Sequence, residues 1–133
     1  MIIVDTSVWI DYFNGLITDE TNILDVALGK QEVAIGDLIA LEILQGFRLD
    51  KDYNTAKKYL SSLHHFQMLS PTLALKAADK YRKLRKKGIT IRKTADIIIG
   101  SFCIEEKLPL LYTDRDFLPF SEHLNLRSVS VKT

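Results

Sequence analysis

Five acidic residues occupy positions from which side chains can do chemistry. Asp5 follows the apolar run Ile2-Ile3-Val4, and Glu42 is embedded among Leu41, Ile43 and Leu44. Asp96 precedes Ile97-Ile98-Ile99, and Asp114 and Asp116 follow Leu110-Leu111-Tyr112. An ionised carboxylate near a core is costly unless a positive group meets it. Several converging carboxylates repel one another and raise their own pKa values. A divalent cation removes that conflict. The three histidines, His64, His65 and His123, show no metal-ligand spacing, and Cys103 has no cysteine partner. An all-oxygen donor set favours Mg²⁺ or Mn²⁺ over zinc. Such ions commonly serve phosphate chemistry, so the reaction suggested is metal-assisted hydrolysis of a phosphodiester. Each acid also has an ordinary structural role open to it. Asp5 can cap a helix, and Asp96 can complement a helix dipole. Glu42 becomes a surface residue if its helix is phased differently. Asp114 can start a turn, and Asp116 can pair with Arg115 or a nearby lysine.

The charge distribution supplies a second element. Net charge is +1, yet eight bases and no acids lie between Lys80 and Lys93. The rest of the chain carries ten bases against seventeen acids. A basic segment on an otherwise acidic chain can attract a polyanion. A solvated helix C-terminus accounts for the same residues equally well. If the segment binds phosphate, Arg85, Lys86, Lys87, Arg92 and Lys93 are the candidate contacts.

The elements that must position these groups follow from periodicity. Ile2–Val4 predicts a buried strand ended by Asp5. Thr6 or Ser7 can cap a helix carrying Val8, Trp9, Ile10 and Phe13, stopped by Asn14-Gly15. A second helix is expected from about Asp19 to Gly29, and a strand at Val33-Ala34-Ile35. Leu38, Leu41, Leu44 and Phe47 recur at helical spacing. Asp50 can cap a further helix carrying Ala56, Tyr59, Leu60 and Leu63. Phe66 to Leu69 reads as a third strand, with His64-His65 as a helix-end pair before it. Ser70-Pro71 is a helix start, cap then proline, and that helix runs through the basic segment to Gly88. Thr94 to Glu106 is apolar almost all round and expected to be buried, with Cys103 as inert core. Leu110-Leu111-Tyr112 is a fourth strand, and 126–131 a candidate fifth. Alternating strands and helices imply an α/β fold with a parallel sheet covered on both faces. Sites in such sheets form beyond the C-terminal strand ends, where Asp5, Asp114 and Asp116 fall.

The chain has 133 residues, 15.2 kDa, 47% hydrophobic and 26% charged. One domain is expected, and disordered, collagen-like and coiled-coil classes are excluded. No apolar run approaches the ~18 residues that cross a bilayer, and the N-terminus lacks a basic signal-peptide region. With one cysteine no intrachain disulfide forms, so a cytoplasmic location is expected.

Four stretches carry a family resemblance. Met1-Ile2-Ile3-Val4-Asp5-Thr6-Ser7-Val8-Trp9-Ile10 resembles the opening of PIN-domain ribonucleases, in particular the VapC toxins of bacterial toxin–antitoxin pairs. Glu42-Ile43-Leu44-Gln45-Gly46-Phe47, Thr94-Ala95-Asp96-Ile97-Ile98-Ile99-Gly100 and Leu111-Tyr112-Thr113-Asp114-Arg115-Asp116-Phe117 resemble the second, third and fourth motifs. The similarity spans essentially the whole chain. It implies a compact three-layer α/β/α sandwich with a parallel sheet of four or five strands, and Mg²⁺- or Mn²⁺-dependent endoribonuclease activity on RNA. It also implies a VapB-like antitoxin whose C-terminal segment blocks the site, and a homodimer. Carried over by motif, the catalytic and metal-binding acids are Asp5, Glu42, Asp96 and Asp114. Thr113 abuts Asp114 directly, where similar proteins often interpose a residue, so Asp116 is the alternative fourth acid. Thr6 and Thr113 are expected to orient ligands or water.

Two other acid-and-Mg²⁺ classes fit less well. A phosphoacceptor signalling domain needs an aspartate ending its third strand, where Leu69-Ser70-Pro71 stands. A haloacid-dehalogenase-like phosphatase needs a second aspartate two places after the first, where Ser7 stands. A non-catalytic RNA- or protein-binding module on the same fold is the remaining alternative.

Overall fold

The computed structural model describes residues 1–129. Its centre is a parallel four-stranded sheet in the order β3-β2-β1-β4, made of β1 (Ile2–Val4), β2 (Val33–Gly36), β3 (His64–Phe66) and β4 (Leu110–Leu111). The chain steps outward from β1 through β2 to β3, then returns to lay β4 on the far side of β1. Both inner strands are hydrophobic without alternation, and all four β2 residues are buried. That is the pattern of strands covered on both faces.

Seven helices flank the sheet among the described residues: α1 (Thr6–Phe13), α2 (Asp19–Gly29), α3 (Asp37–Gln45), α4 (Asp50–Ser61), α5 (Pro71–Lys86), α6 (Thr94–Glu105) and α7 (Leu118–His123). Their starts follow local chemistry. Thr18 and Thr21 cap α2 reciprocally. The Ser70 hydroxyl accepts the Leu73 N–H at 3.1 Å, with Pro71 in the first turn of α5. Gly88 takes φ +80° beyond the end of α5, a conformation side chains resist. Helix α1 packs on α2 and α3, α3 on α4, and α5 on α6, giving the three-layer α/β/α arrangement. No helix of the described residues is long and apolar enough to cross a membrane.

The core joins sheet and helices. Trp9, Phe117, Phe120, Ile39 and Ile99 are fully buried. Trp9 and Phe13 stack at 5.8 Å, and Phe13 meets Phe47 and Tyr59 edge-on, so Trp9 is core and Tyr12 and Phe13 are half-buried against it. Cys103 is buried on α6, and burial pushes its thiol pKa up, as an inert core cysteine requires.

Several boundaries differ from expectation. The third strand is His64–Phe66, not Phe66 to Leu69, so the histidine pair belongs to the strand. As an edge strand β3 pairs on one side only and needs no continuous apolar run. Helix α3 buries Ile39 and Ile43, while Leu41 points outward at 58% exposure. That helix is apolar on more than one face, so spacing alone left its phase undetermined. Asp50 lies inside α4, and Leu49 occupies the N-cap position without a side-chain cap. Strand β4 stops at Leu111. Of the candidate fifth strand, only a single parallel bridge between Leu110 and Ser128 is present, and 130–131 lie outside the described residues.

Candidate metal centre

The order β3-β2-β1-β4 puts the change of chain direction between β1 and β4. Connections leaving those two strands diverge, which opens a crevice beyond their C-terminal ends. Asp5 leaves β1 there, and its backbone N–H donates to the Leu111 carbonyl at 2.9 Å, tying the strand ends together. Thr113 and Asp114 leave β4. Asp96 enters from the first turn of α6.

Local geometry then aims the side chains. Asp114 caps the 3-10 turn Arg115–Phe117 by accepting the Asp116 N–H at 2.9 Å. Carboxylate oxygens of Asp96, Asp114 and Asp116 consequently lie within 4.8 Å of one another. Asp5 occupies the N-cap position of α1, but no side-chain capping bond forms. Its Oδ2 instead accepts the Ser7 hydroxyl at 2.8 Å. Ser7 Oγ lies 3.2 Å from Thr113 Oγ1, so a hydroxyl pair links the β1 and β4 exits. On the other side of Asp5, Thr6 Oγ1 donates to Glu42 Oε1 at 2.7 Å. This bond holds Glu42 half-buried.

The electrostatics are strained. Asp96 is 6% exposed, and its Oδ2 is buried without a hydrogen-bond partner. Burial pushes its pKa up to about 7, and the charges of Asp5, Asp114 and Asp116 push the same way against Lys93. Burial also raises Asp5, with the Glu42 charge adding and the Ser7 hydroxyl and nearby backbone N–H groups opposing. At the rim, Arg92 reaches Asp116 at 3.4 Å and Lys93 reaches Asp114 at 3.9 Å. Both bases are mostly solvent-exposed, so these pairs compensate the buried charge only weakly.

The structure therefore draws Asp96, Asp114 and Asp116 into one cluster, sets Asp5 within electrostatic reach of Asp96, and sets Glu42 within reach of Asp5. Thr6 and Thr113 both line the crevice. Arg92 and Lys93 reach Asp116 and Asp114 at its rim, whereas Arg85, Lys86 and Lys87 lie at the C-terminal end of α5. Lys80 is committed to Glu105 at 2.6 Å. Asp116 pairs with Arg92 rather than with Arg115. Ser7 is the residue that sequence reasoning passed over, treating it only as an alternative cap. A hydroxyl two places after a strand-end aspartate was the available clue. Asp37, at the end of β2, shows the contrasting case. Its Oδ1 accepts the N–H groups of Leu38 and Met68 at 2.8 and 3.0 Å, so its charge is spent on tethering the chain.

An orphaned, buried carboxylate oxygen facing further acids, with no His or Cys in the cluster among the described residues, fits a hard divalent cation. Asp96, Asp114 and Asp116 supply the close oxygens, and Asp5 is a further carboxylate within electrostatic reach of Asp96.

The PIN-domain family model matches residues 2–121, and the chain belongs to that family. Among curated proteins it is 28% identical over 136 residues to the VapC ribonuclease Mb1587 of Mycobacterium bovis and to ribonuclease VapC11 of Mycobacterium tuberculosis, covering 99% of this chain and 100% of each relative. Among solved structures, VapBC2 from Rickettsia felis bound to a promoter DNA fragment superposes with a TM-score of 0.76 at 20% identity, covering 97% of this chain and 98% of the other. FitAcB from Neisseria gonorrhoeae gives 0.72 at 15% identity, covering 98% and 97%. A toxin–antitoxin complex from Klebsiella pneumoniae gives 0.71 at 18% identity, covering 96% and 97%.

Proposed function

We propose that residues 1–133 act as a single PIN domain that hydrolyses RNA phosphodiester bonds as a Mg²⁺- or Mn²⁺-dependent endoribonuclease, the toxin of a toxin–antitoxin pair. The observation that carries this reading is the buried, unpartnered Asp96 carboxylate facing Asp114 and Asp116 at the β1–β4 crevice. In it, Asp96, Asp114 and Asp116, with Asp5 beside them, would hold the ion, and Glu42 would add a further carboxylate near Asp5. The ion, once bound, lowers the pKa of a water and offsets phosphate charge. Thr6 orients Glu42, and Ser7 and Thr113 orient Asp5 and the water around it. Arg92 and Lys93, already paired with Asp116 and Asp114 at the rim, meet the phosphate. Attack by water rather than by the ribose hydroxyl leaves 5′-phosphate and 3′-hydroxyl ends.

The full-length relatives named as VapC ribonucleases support the activity, and the neighbouring toxin–antitoxin structures support a VapB-like antitoxin partner. A homodimer working in the cytoplasm completes the proposal. The test is cleavage of RNA by the purified chain with Mg²⁺ or Mn²⁺, followed by mapping of fragment ends. Cleavage is expected to stop with EDTA and with Asp5→Asn. Cleavage that survives either treatment overturns the reading.

A further inference from the structure

The basic segment divides between two places. Arg92 and Lys93 join the acids, while Arg82, Arg85 and Lys86 gather where α5 ends. A surface groove connects the two. One stretch, about 540 Å³, is floored by Ala74, Ala77, Ile97 and Ile98 and reaches Arg92. The next, about 490 Å³, is lined by Arg82, Arg85 and Lys86. Ala78 and Tyr81 belong to both. The groove therefore starts at the base that pairs with Asp116 and continues past a half-buried tyrosine ring to three further bases.

Its lining matches one kind of occupant. Small alanines leave an apolar slot against Ile97 and Ile98, which suits the flat faces of bases. Tyr81 presents a ring, with the Arg85 guanidinium 5.8 Å from its centre, a pairing that base stacking can share. None of Arg82, Arg85 and Lys86 has an acidic partner among the described residues, although Asp79 lies on the same helix. Uncompensated bases along an apolar slot suit a polyanion with stacking faces better than they suit another apolar protein surface.

We propose that this groove binds a single-stranded stretch of the RNA flanking the cut, with Tyr81 as a stacking platform and Arg82, Arg85 and Lys86 on the phosphates. The proposal rests on the nuclease reading and adds the path the substrate takes. Binding of a fluorescein-labelled single-stranded RNA 12-mer, followed by anisotropy in EDTA so that the strand stays intact, tests it. Tyr81→Ala is expected to weaken binding roughly tenfold, and Tyr81→Phe to retain it, which separates stacking from loss of fold. The Arg82→Gln, Arg85→Gln, Lys86→Gln triple variant is expected to lower the slope of log affinity against log salt by about 2. Wild-type-like 12-mer binding by the triple variant overturns the groove while leaving the nuclease reading intact. Loss of a dimer in sedimentation, with RNA binding unchanged, makes the groove an interface between copies and also overturns the proposal. Failure of the wild-type chain both to bind and to cleave RNA overturns the groove and the nuclease reading together.

Discussion

Two groups of charges on this molecule use the same side-chain types to opposite effect. On the α5–α6 face, Glu105 meets Lys80 at 2.6 Å and Lys76 at 3.0 Å, and the hydrogen bonds from those lysines hold its carboxyl below the usual glutamate range. In the β1–β4 crevice, Asp96 and Asp5 are held above the usual aspartate range, first by burial and then by acidic neighbours. One arrangement is content with its counterions. The other is an electrostatic deficit that the protein's own bases do not cancel. Such a buried deficit marks a candidate functional site, one whose carboxylates could take up a cation.

The comparison breaks most sharply on substitution. Asp96→Asn is expected to reduce Mg²⁺-dependent RNA cleavage at least ~100-fold, while the melting temperature stays level or rises because a repelled charge has gone. A cleavage assay beside a thermal melt checks both, and a collapse of stability would place Asp96 with the structural charges instead. Next in size is a pH effect. A carboxyl with its folded pKa raised favours the folded state while protonated, and that stabilisation is lost as pH rises from about 4 toward 7. The metal-free chain should therefore melt several degrees lower at pH 7.5 than near pH 5, by about the usual shift per unit of stability. Added Mg²⁺ should recover the loss, and Asp96→Asn should flatten the profile. Glu105 titrates with the opposite sign, because its lowered pKa contributes stability that disappears as pH falls below the ordinary glutamate value.

Thr6→Val separates orientation from charge. It removes the hydroxyl that holds Glu42 and is expected to lower cleavage about tenfold, with Asp5 and Asp96 untouched. Single-turnover rates on one RNA would show it. The smallest effect belongs to Glu105→Gln, for which urea unfolding should report a loss under about 1 kcal/mol with cleavage unchanged.

Local chemistry made much of this legible in the chain. The extents of β1, α2 and α5 follow from a β-branched run, the Thr18 and Ser70 caps and Pro71, all decided within a few residues, whereas α1 starts at Thr6 with no side-chain cap, so the expected Thr6 or Ser7 cap is not formed. The errors fall where a decision depends on neighbours far away. His64 and His65 read as a helix end because the single-sided pairing of an edge strand is invisible until the sheet order is known. Helical spacing counts Leu41 among the recurring apolar positions of α3, yet the partners of that helix select Ile39 and Ile43. The acids behave likewise. Their types could be read, but nothing in the spacing of residues 5, 96 and 114 says that they meet. That meeting depends on the chain's return from β3 to the far side of β1, which no periodicity encodes. Ser7 stayed hidden because its role appears only once Thr113 stands opposite.

The lone sulfhydryl on α6 carries a practical consequence. Cys103 is sealed within the packed interior and resists ionisation, so alkylating reagents gain access only when the chain opens. Its modification rate is thus an intrinsic stopwatch for transient opening. A second cysteine engineered on the surface could carry a dye without competition from the native one.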